Sequence, residues 1–537
     1  MATTAHVDTF ARDNLPPRGQ WPELLFELPQ LRYPERMNCA TELLDRALER
    51  GWGERVAVRS PDTVWTYAQL LERANRIARV LTEDMGLRTG NRVLLRGPNS
   101  PTMAACWLAV MKAGGVAVAT MPLLRAKELT DIITKAEVSH ALCDKRLEAE
   151  LKATLPACPM LKTVAYWHGG AADSLEALAA KKPGAFANVD TSAEDAALIA
   201  FTSGTTGKPK GTVHFHRDVI AMCDCFPRSC LMPGADDIFC GTPPLAFTFG
   251  LGGMLCFPLR FGASVVLVER LTPELLLETI AKLKATICFT VPTFYRQMAP
   301  LARQQDLRSL KKCVSAGEAL PDATRQLFKQ ASGIEIIDGI GSTEMIHIFV
   351  SHTPEKVRRG ATGYAIPGYR ATLLDDAGRP CAPGAIGRLA VKGPTGCRYL
   401  ADERQRSYVQ GGWNVTGDAY TRDDDGYFFY QARTDDMIIS AGYNIAGPEV
   451  ESALLAHEAV AECGVVGVPD EERGQIVKAY VVLGPGHEKS DAVAKTLQDH
   501  VKAGIAPYKY PRRVEFVEVL PRTETGKLQR FKLRERG

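Results

Sequence analysis

No stretch of the 537-residue chain is both long and uncharged enough to span a bilayer. The nearest, MAACWLAVMKAGGVAVATMPLL from Met103, is broken by Lys112 and the pair Gly114 and Gly115, and reads as a helix, a turn and a buried strand. Charge of one sign is also missing. Lys and Arg number 65 against 62 Asp and Glu, so no global positive field would drive attachment to nucleic acid. The N-terminal MATTAHVDTFARDNLPPRGQ has acids and prolines where a secretory leader needs a basic start and an apolar run, which implies a cytoplasmic location. Fourteen cysteines, from Cys39 to Cys463, contain no CxxC pair and no zinc-ligand spacing, so reduced, buried thiols are expected. Fixed-period repeats and low-complexity tracts are absent. Nucleic acid and membrane are thus excluded as expected partners, while a homodimer is left open.

What is present is the balance of a globular protein, 45% apolar and 24% charged, at a length that calls for two to four folding units. From about residue 40 to 430, helical patterns such as YAQLLERANRIARVL alternate with β-rich runs such as NRVLLRG, SVVLVE and ATICFTV. That alternation predicts layered α/β structure with largely parallel sheets. The polar turn Arg433–Asp436 separates the aromatic strand GYFFYQ from the strand MIIS, and the residues beyond it read as a small α+β domain: helix GPEVESALLAH, strands ECGVVGV and KAYVVLG, helix DAVAKTLQDHVK and strand RRVEFVEVL. The expected division is a large N-terminal domain over 1–432, a hinge over 433–437 and a small mobile domain over 438–537.

The segment TSGTTGKPKG, Thr202 to Gly211, follows the apolar run AALIAF. Its glycines allow positive φ and close backbone approach, while Ser203, Thr205 and Thr206 offer hydroxyl donors, a combination suited to phosphate oxygens. It is not a Walker loop, because only two residues separate Gly204 from Gly207 and Pro209 follows Lys208. The segment instead resembles the signature of the adenylate-forming superfamily, which includes acyl-CoA synthetases, luciferases and peptide-synthetase adenylation domains. SAGEAL (315–320), DGIGSTE (338–344), TGD (416–418), ARTDD (432–436) and PRTETGK (521–527) occur in that family's order and approximate spacing.

The resemblance implies two half-reactions, carboxylate plus ATP giving acyl-adenylate and pyrophosphate, then capture of the acyl group by a thiol. It implies that Thr202, Ser203, Gly204, Thr205, Thr206 and Lys208 hold phosphates, that Lys527 is the adenylation lysine, and that Thr343 contacts the α-phosphate. By the same resemblance Glu344 carries Mg2+, Asp418 holds the ribose hydroxyls and Arg433 contacts the nucleotide. Gly317, Glu318 and Ala319, with Asp338, Gly339 and Ile340, would sandwich adenine, Ile340 replacing the tyrosine common there. Asp435 matches the pivot on which the small domain turns, withdrawing Lys527 and bringing the loop around Gly442 toward the site.

The segment PPLAFTFGLGG has no carboxylate to pair with a substrate ammonium, which disfavours α-amino acids, and its aromatics suggest a flat apolar acyl group. Glu344 and His347, three residues apart, are expected on one helical face beside the metal. DGIGSTEMIHIF resembles the benzoate/2-aminobenzoate-CoA ligase branch, in which Ala246, Phe247, Gly341, His347 and Ile348 would line the aryl pocket. The expectation is an AMP-forming aryl-carboxylate:CoA ligase using ATP and Mg2+; with only ten residues after Lys527 the acceptor is expected to be free CoA or a separate protein, and the resemblance implies free CoA as the commoner. A medium-chain or other bulky-acid ligase, and a non-turnover nucleotide-binding regulator, are the alternatives.

Overall fold

A computed structural model describes residues 3–202, 209–433, 436–440, 443–470, 473–522 and 527–536. The phosphate-loop residues Ser203, Gly204, Thr205, Thr206 and Lys208, the pivot Asp435 and the loop residue Gly442 therefore lie outside the described residues.

Among the described residues the strands form four sheets. In the first, the strands Thr163–Trp167, His140–Asp144, Arg92–Arg96, Val116–Thr120 and Ala196–Thr202 run parallel, and Lys210–Phe215 closes the edge antiparallel. The second has nine strands, centred on Ile238–Gly241, Ile287–Thr290, Lys312–Ser315 and Ile336–Gly341 in parallel register. These two sheets supply the layered α/β body predicted from the alternation of patterns. The stretch from Met103 resolves as anticipated into the helix Pro101–Lys112, a turn with Gly114 at φ 69° and the buried strand Val116–Thr120. The Lys112 ammonium there is held at 2.6 Å by Asp45. No helix among the described residues is long and apolar enough to cross a membrane.

A third, antiparallel sheet contains Trp413–Arg422 and Phe428–Arg433. The fourth pairs Ile438–Ser440 with Gly474–Leu483 and Gly474–Leu483 with Val460–Asp470. The chain changes sheet between Arg433 and Ile438, and the helices Gly447–Leu455 and Asp491–Gly504 pack on the fourth sheet around Val450, Leu454, Leu497 and Val501. The last predicted strand is shorter than its pattern, Arg513–Phe516. All fourteen cysteines are free thiols, and all but the half-buried Cys381 are buried.

One buried ion pair anchors the edge of the first sheet. Arg398 and Asp218 are both fully buried, their side chains are hydrogen-bonded, and the guanidinium lies 4.0 Å from the centre of the Phe215 ring. Asp218 also accepts the Phe215 N–H at 2.9 Å, capping the helix His216–Phe226. Despite burial, the charge of Arg398 and its other hydrogen-bond donors hold the Asp218 carboxyl down at about 2. Removing one member of such a pair strands the other charge in the interior. Arg398→Met should therefore lower the unfolding free energy by about 3–5 kcal/mol, read from denaturant titration; a loss below about 1 kcal/mol would show the pair to be dispensable.

Candidate active site

Thr202 and Lys210, which flank the undescribed part of the signature segment, are cross-strand partners on the antiparallel strands Ala196–Thr202 and Lys210–Phe215. That strand pairs on its other side with the segment around Tyr399. Thr212 and Tyr399 form a bridge, Leu400 donates to the Gly211 carbonyl at 2.8 Å, and Val213 donates to the Arg398 carbonyl at 2.8 Å. The described residues on both sides of the segment thus lie in paired strands.

The DGIGSTE segment begins as the strand Ile336–Gly341 and then turns. Residues 342–347 form a tight non-helical turn in which Ile346 takes φ 65°, a region that costs a β-branched residue strain. This corrects the expectation of a helical face carrying Glu344 and His347: His347 closes the turn and Ile348 opens the next strand.

Three contacts fix this turn. His214 Nε2 donates to the Thr343 carbonyl at 2.7 Å, Thr395 Oγ1 donates to the Met345 carbonyl at 2.8 Å, and the Tyr399 hydroxyl donates to Glu344 Oε1 at 2.5 Å. Glu344 is buried and its second carboxylate oxygen has no hydrogen bond among the described residues, leaving a hard oxygen donor of the kind Mg2+ prefers. Tyr399 is itself buried, with Lys210 Nζ 5.5 Å from its ring centre and Tyr408 packed edge-on at 5.8 Å. Neither Tyr399 nor His214 was singled out from sequence, since a tyrosine in CRYL and a histidine in a β-run carry no local sign of the turn they hold.

The expected nucleotide residues converge. Arg433 reaches Asp418 across paired strands at 3.4 Å. Burial pushes the Asp418 carboxyl up, and the charge of Glu344 adds to that, against Arg433, Thr416 and Lys527. A Cβ placed on Gly317, which has φ 91°, would lie 3.6 Å from Lys527 Cε, so the lysine arriving from the small domain packs on the SAGEAL turn. The walls of the cleft lower the Lys527 ammonium pKa by desolvation, with Arg433 adding to the effect, while Glu318, Asp418 and Glu344 pull it back up. Glu318 accepts Thr293 Oγ1 at 3.1 Å and the Leu528 N–H at 3.3 Å, and Ala319 is exposed beside it. Asp338 is buried, its carboxyl pushed well up by that burial, and Oδ1 finds no partner among the described residues. An orphaned polar atom on the strand expected to face adenine fits a nucleotide site. Gly339 packs on Ile348, and Ile340 is half-buried against the main core.

Of the expected acyl residues, His347 is neutral and ringed by phenylalanines outside that set, Phe226, Phe249 and Phe257, while Ala246 and Phe247 line a separate small gap. His347 sits among Phe257 at 4.5 Å, Phe249 at 5.6 Å and Phe226 at 5.8 Å, ring centre to ring centre, and its Nε2 donates to the Phe249 carbonyl at 3.4 Å. A Cβ on Gly252 would strike His347 Cδ2 at 2.4 Å, so glycine there lets the ring enter, and one on Gly341 would strike the His347 carbonyl carbon at 2.7 Å, so glycine there lets the backbone of the turn close. Ala246 and Phe247 are half-buried, and behind them an apolar gap of about 10 Å³ has room for one water.

Burial holds the imidazolium form of His347 down, at about 3 against an ordinary 6.5, and His216 is held at about 3 for the same reason. Below pH 6.5 the unfolded chain takes up a proton on each ring that the folded chain refuses. Stability is therefore full above pH 6.5 and falls as pH drops toward 3, by about 1.4 kcal/mol per pH unit per histidine. Denaturant midpoints between about pH 7 and 5 should show this decline, and His347→Gln should remove about one proton's share of the slope. An unchanged slope would contradict the neutral buried ring.

The AMP-binding enzyme family model matches residues 44–399, and the AMP-binding enzyme C-terminal domain model matches 449–527. The chain is 38% identical over 516 residues to a benzoate–CoA ligase of Thauera aromatica, covering 94% of this chain and 97% of that one. It is 34% identical to the crystal structure of the anthranilate CoA ligase AuaEII in complex with anthranoyl-AMP, with TM-score 0.89 over 95% of this chain and 99% of that one. A benzoate CoA ligase from Burkholderia xenovorans LB400 superposes with TM-score 0.85 at 32% identity, covering 93% and 100%. By these matches, over most of its length, the chain is a member of the AMP-binding enzyme family.

Proposed function

We propose that the protein is an ATP-dependent aryl-carboxylate:CoA ligase that activates benzoate or 2-aminobenzoate as the aryl-adenylate and then forms the CoA thioester. The observation that carries this reading is the approach of Lys527 to Glu344 and Asp418, together with a carboxylate-free segment 243–253 whose Phe249 packs against the uncharged His347, three residues after Glu344. Relatives named for benzoate and anthranilate support the choice of acid.

Attack of a carboxylate oxygen on the α-phosphorus brings an anion toward a phosphate as pyrophosphate leaves, so charge neutralisation and positioning must supply most of the rate. Bound Mg2+ would neutralise phosphate oxygens. The chain's own share is divided by position. Glu344 offers the carboxylate oxygen not taken by Tyr399, Asp418 accepts ribose hydroxyls, and Lys527 brings a compact cation to the acid and ribose oxygens. The aromatic surround of His347 is apolar and uncharged, conditions that welcome a benzoyl ring and penalise a substrate ammonium. In the second half-reaction the CoA sulfur bonds to the acyl carbon and AMP leaves. We assign Asp435 as the pivot between the two steps, 1–432 as the adenylation domain and 438–537 as the domain that moves.

Incubation with ATP, Mg2+, CoA and benzoate or 2-aminobenzoate should release AMP, and either acid should outcompete octanoate at equal concentration. ADP as product would overturn the reaction class, and preference for octanoate would transfer the enzyme to the bulky-acid reading. Lys527→Ala should slow pyrophosphate release about 100- to 1000-fold while sparing thioester formation from supplied aryl-adenylate. Equal damage to both steps would contradict a lysine that serves only the first.

A further inference from the structure

The helix Pro292–Ala302 of the large domain places Thr293, Arg296 and Gln297 on one face, at the spacing i, i+3, i+4. That face looks onto the small domain. Arg296 sends its guanidinium wholly across the boundary: Nε donates to the Ala461 carbonyl at 2.8 Å, and Nη2 donates to the carbonyls of Val460 at 2.8 Å and Leu455 at 3.3 Å. Leu455 ends the small-domain helix Gly447–Leu455, and Val460 opens the strand Val460–Asp470. The last carbonyls of a helix have no partner within it and carry the negative end of its dipole, so a cation from outside both satisfies and neutralises them. No carboxylate is paired with Arg296 among the described residues, and every hydrogen bond its guanidinium makes goes to the small domain.

The neighbouring contacts point the same way. Gln297 donates to Glu462 at 3.5 Å, Arg522 bonds Glu462 at 2.8 Å and reaches Thr293 at 3.4 Å, and the Leu528 N–H is accepted by Glu318 at 3.3 Å. Leu528 follows Lys527 directly. The clamp at Arg296 and the seat of the lysine are therefore two ends of one interface.

We propose that Arg296 is a positioning residue for adenylation: it clamps the small domain in the orientation that seats Lys527 on Gly317 and lets go when that domain turns for thioester formation. The inference rests on the two-step ligase reading above. Leu455, Val460 and Ala461 belong to one short helix-to-strand connection, so rotation carries all three acceptors away together and leaves the guanidinium to water. Arg296 touches no reacting atom, and its effect is exerted through the placement of Lys527. Lysine is a poor replacement, because a single ammonium does not reproduce the planar fork that meets three carbonyls at once.

The test is Arg296→Met, which keeps the apolar stem, with Arg296→Lys beside it. Pyrophosphate release from ATP and the aryl acid should fall about 10- to 100-fold in the methionine variant and less in the lysine variant, in line with loss of an array of charge-assisted hydrogen bonds. Thioester formation from supplied aryl-adenylate and CoA should stay within about twofold of the parent. Equal loss in both half-reactions, or unchanged pyrophosphate release, would overturn the clamp. Deuterium uptake provides a readout that needs no substrate: backbone amides of 455–462 and of Leu528 should exchange faster in Arg296→Met, and unchanged uptake at both would also overturn it. Failure of the parent to use either acid would instead count against the proposed substrate, leaving the exchange comparison to decide on the clamp.

Discussion

The cleft depends on one constraint, the locking of the turn 342–347 onto the edge of the first sheet. The strand Lys210–Phe215, which pairs with Ala196–Thr202, runs into the interior, where His214 holds the Thr343 carbonyl. Its partner segment supplies Tyr399, which holds one oxygen of Glu344 and leaves the other. Beneath both, the buried pair Arg398–Asp218 ties that segment to the helix following the strand. Thr343 and Glu344 thus share one buried support with the strand Lys210–Phe215, and in the proposed reaction that support would give the preorganisation electrostatic catalysis requires.

Lys527 is the exception, because it arrives from a different sheet and is held by contacts across the domain boundary. In the proposed two-step reaction a lysine needed for one step and withdrawn for the next could not be built into the rigid support. Its place is set by Gly317, Glu318 and the face of the helix Pro292–Ala302, all surfaces that a rotating domain can leave. On the proposed reading, a fixed anion site and a movable cation would match the chemistry of two successive reactions in one cleft.

Much of this was legible in the sequence, for reasons that differ by element. The α/β layers follow from alternating 3.6- and 2-residue periodicity, and the helix, glycine turn and strand after Met103 follow from Lys112 and two glycines interrupting an apolar run. The turn at 342–347 was not legible as a turn, since STEMIH has helical spacing and nothing local announces that Ile346 will adopt positive φ; long-range bonds from His214, Thr395 and Tyr399 override the local preference. Arg296 was equally silent, because its partners are backbone carbonyls about 160 residues away and carbonyls leave no trace in composition.

The central claim is that the metal and the triphosphate are received by the locked turn. It is tested most directly by anomalous scattering from Mn2+ in crystals grown with ATP and a non-reacting aryl acid analogue. The account predicts a peak against the Glu344 oxygen that Tyr399 leaves unbound, with the triphosphate lying along the hairpin between Thr202 and Lys210. A metal peak away from Glu344, with the phosphates outside that hairpin, would contradict it.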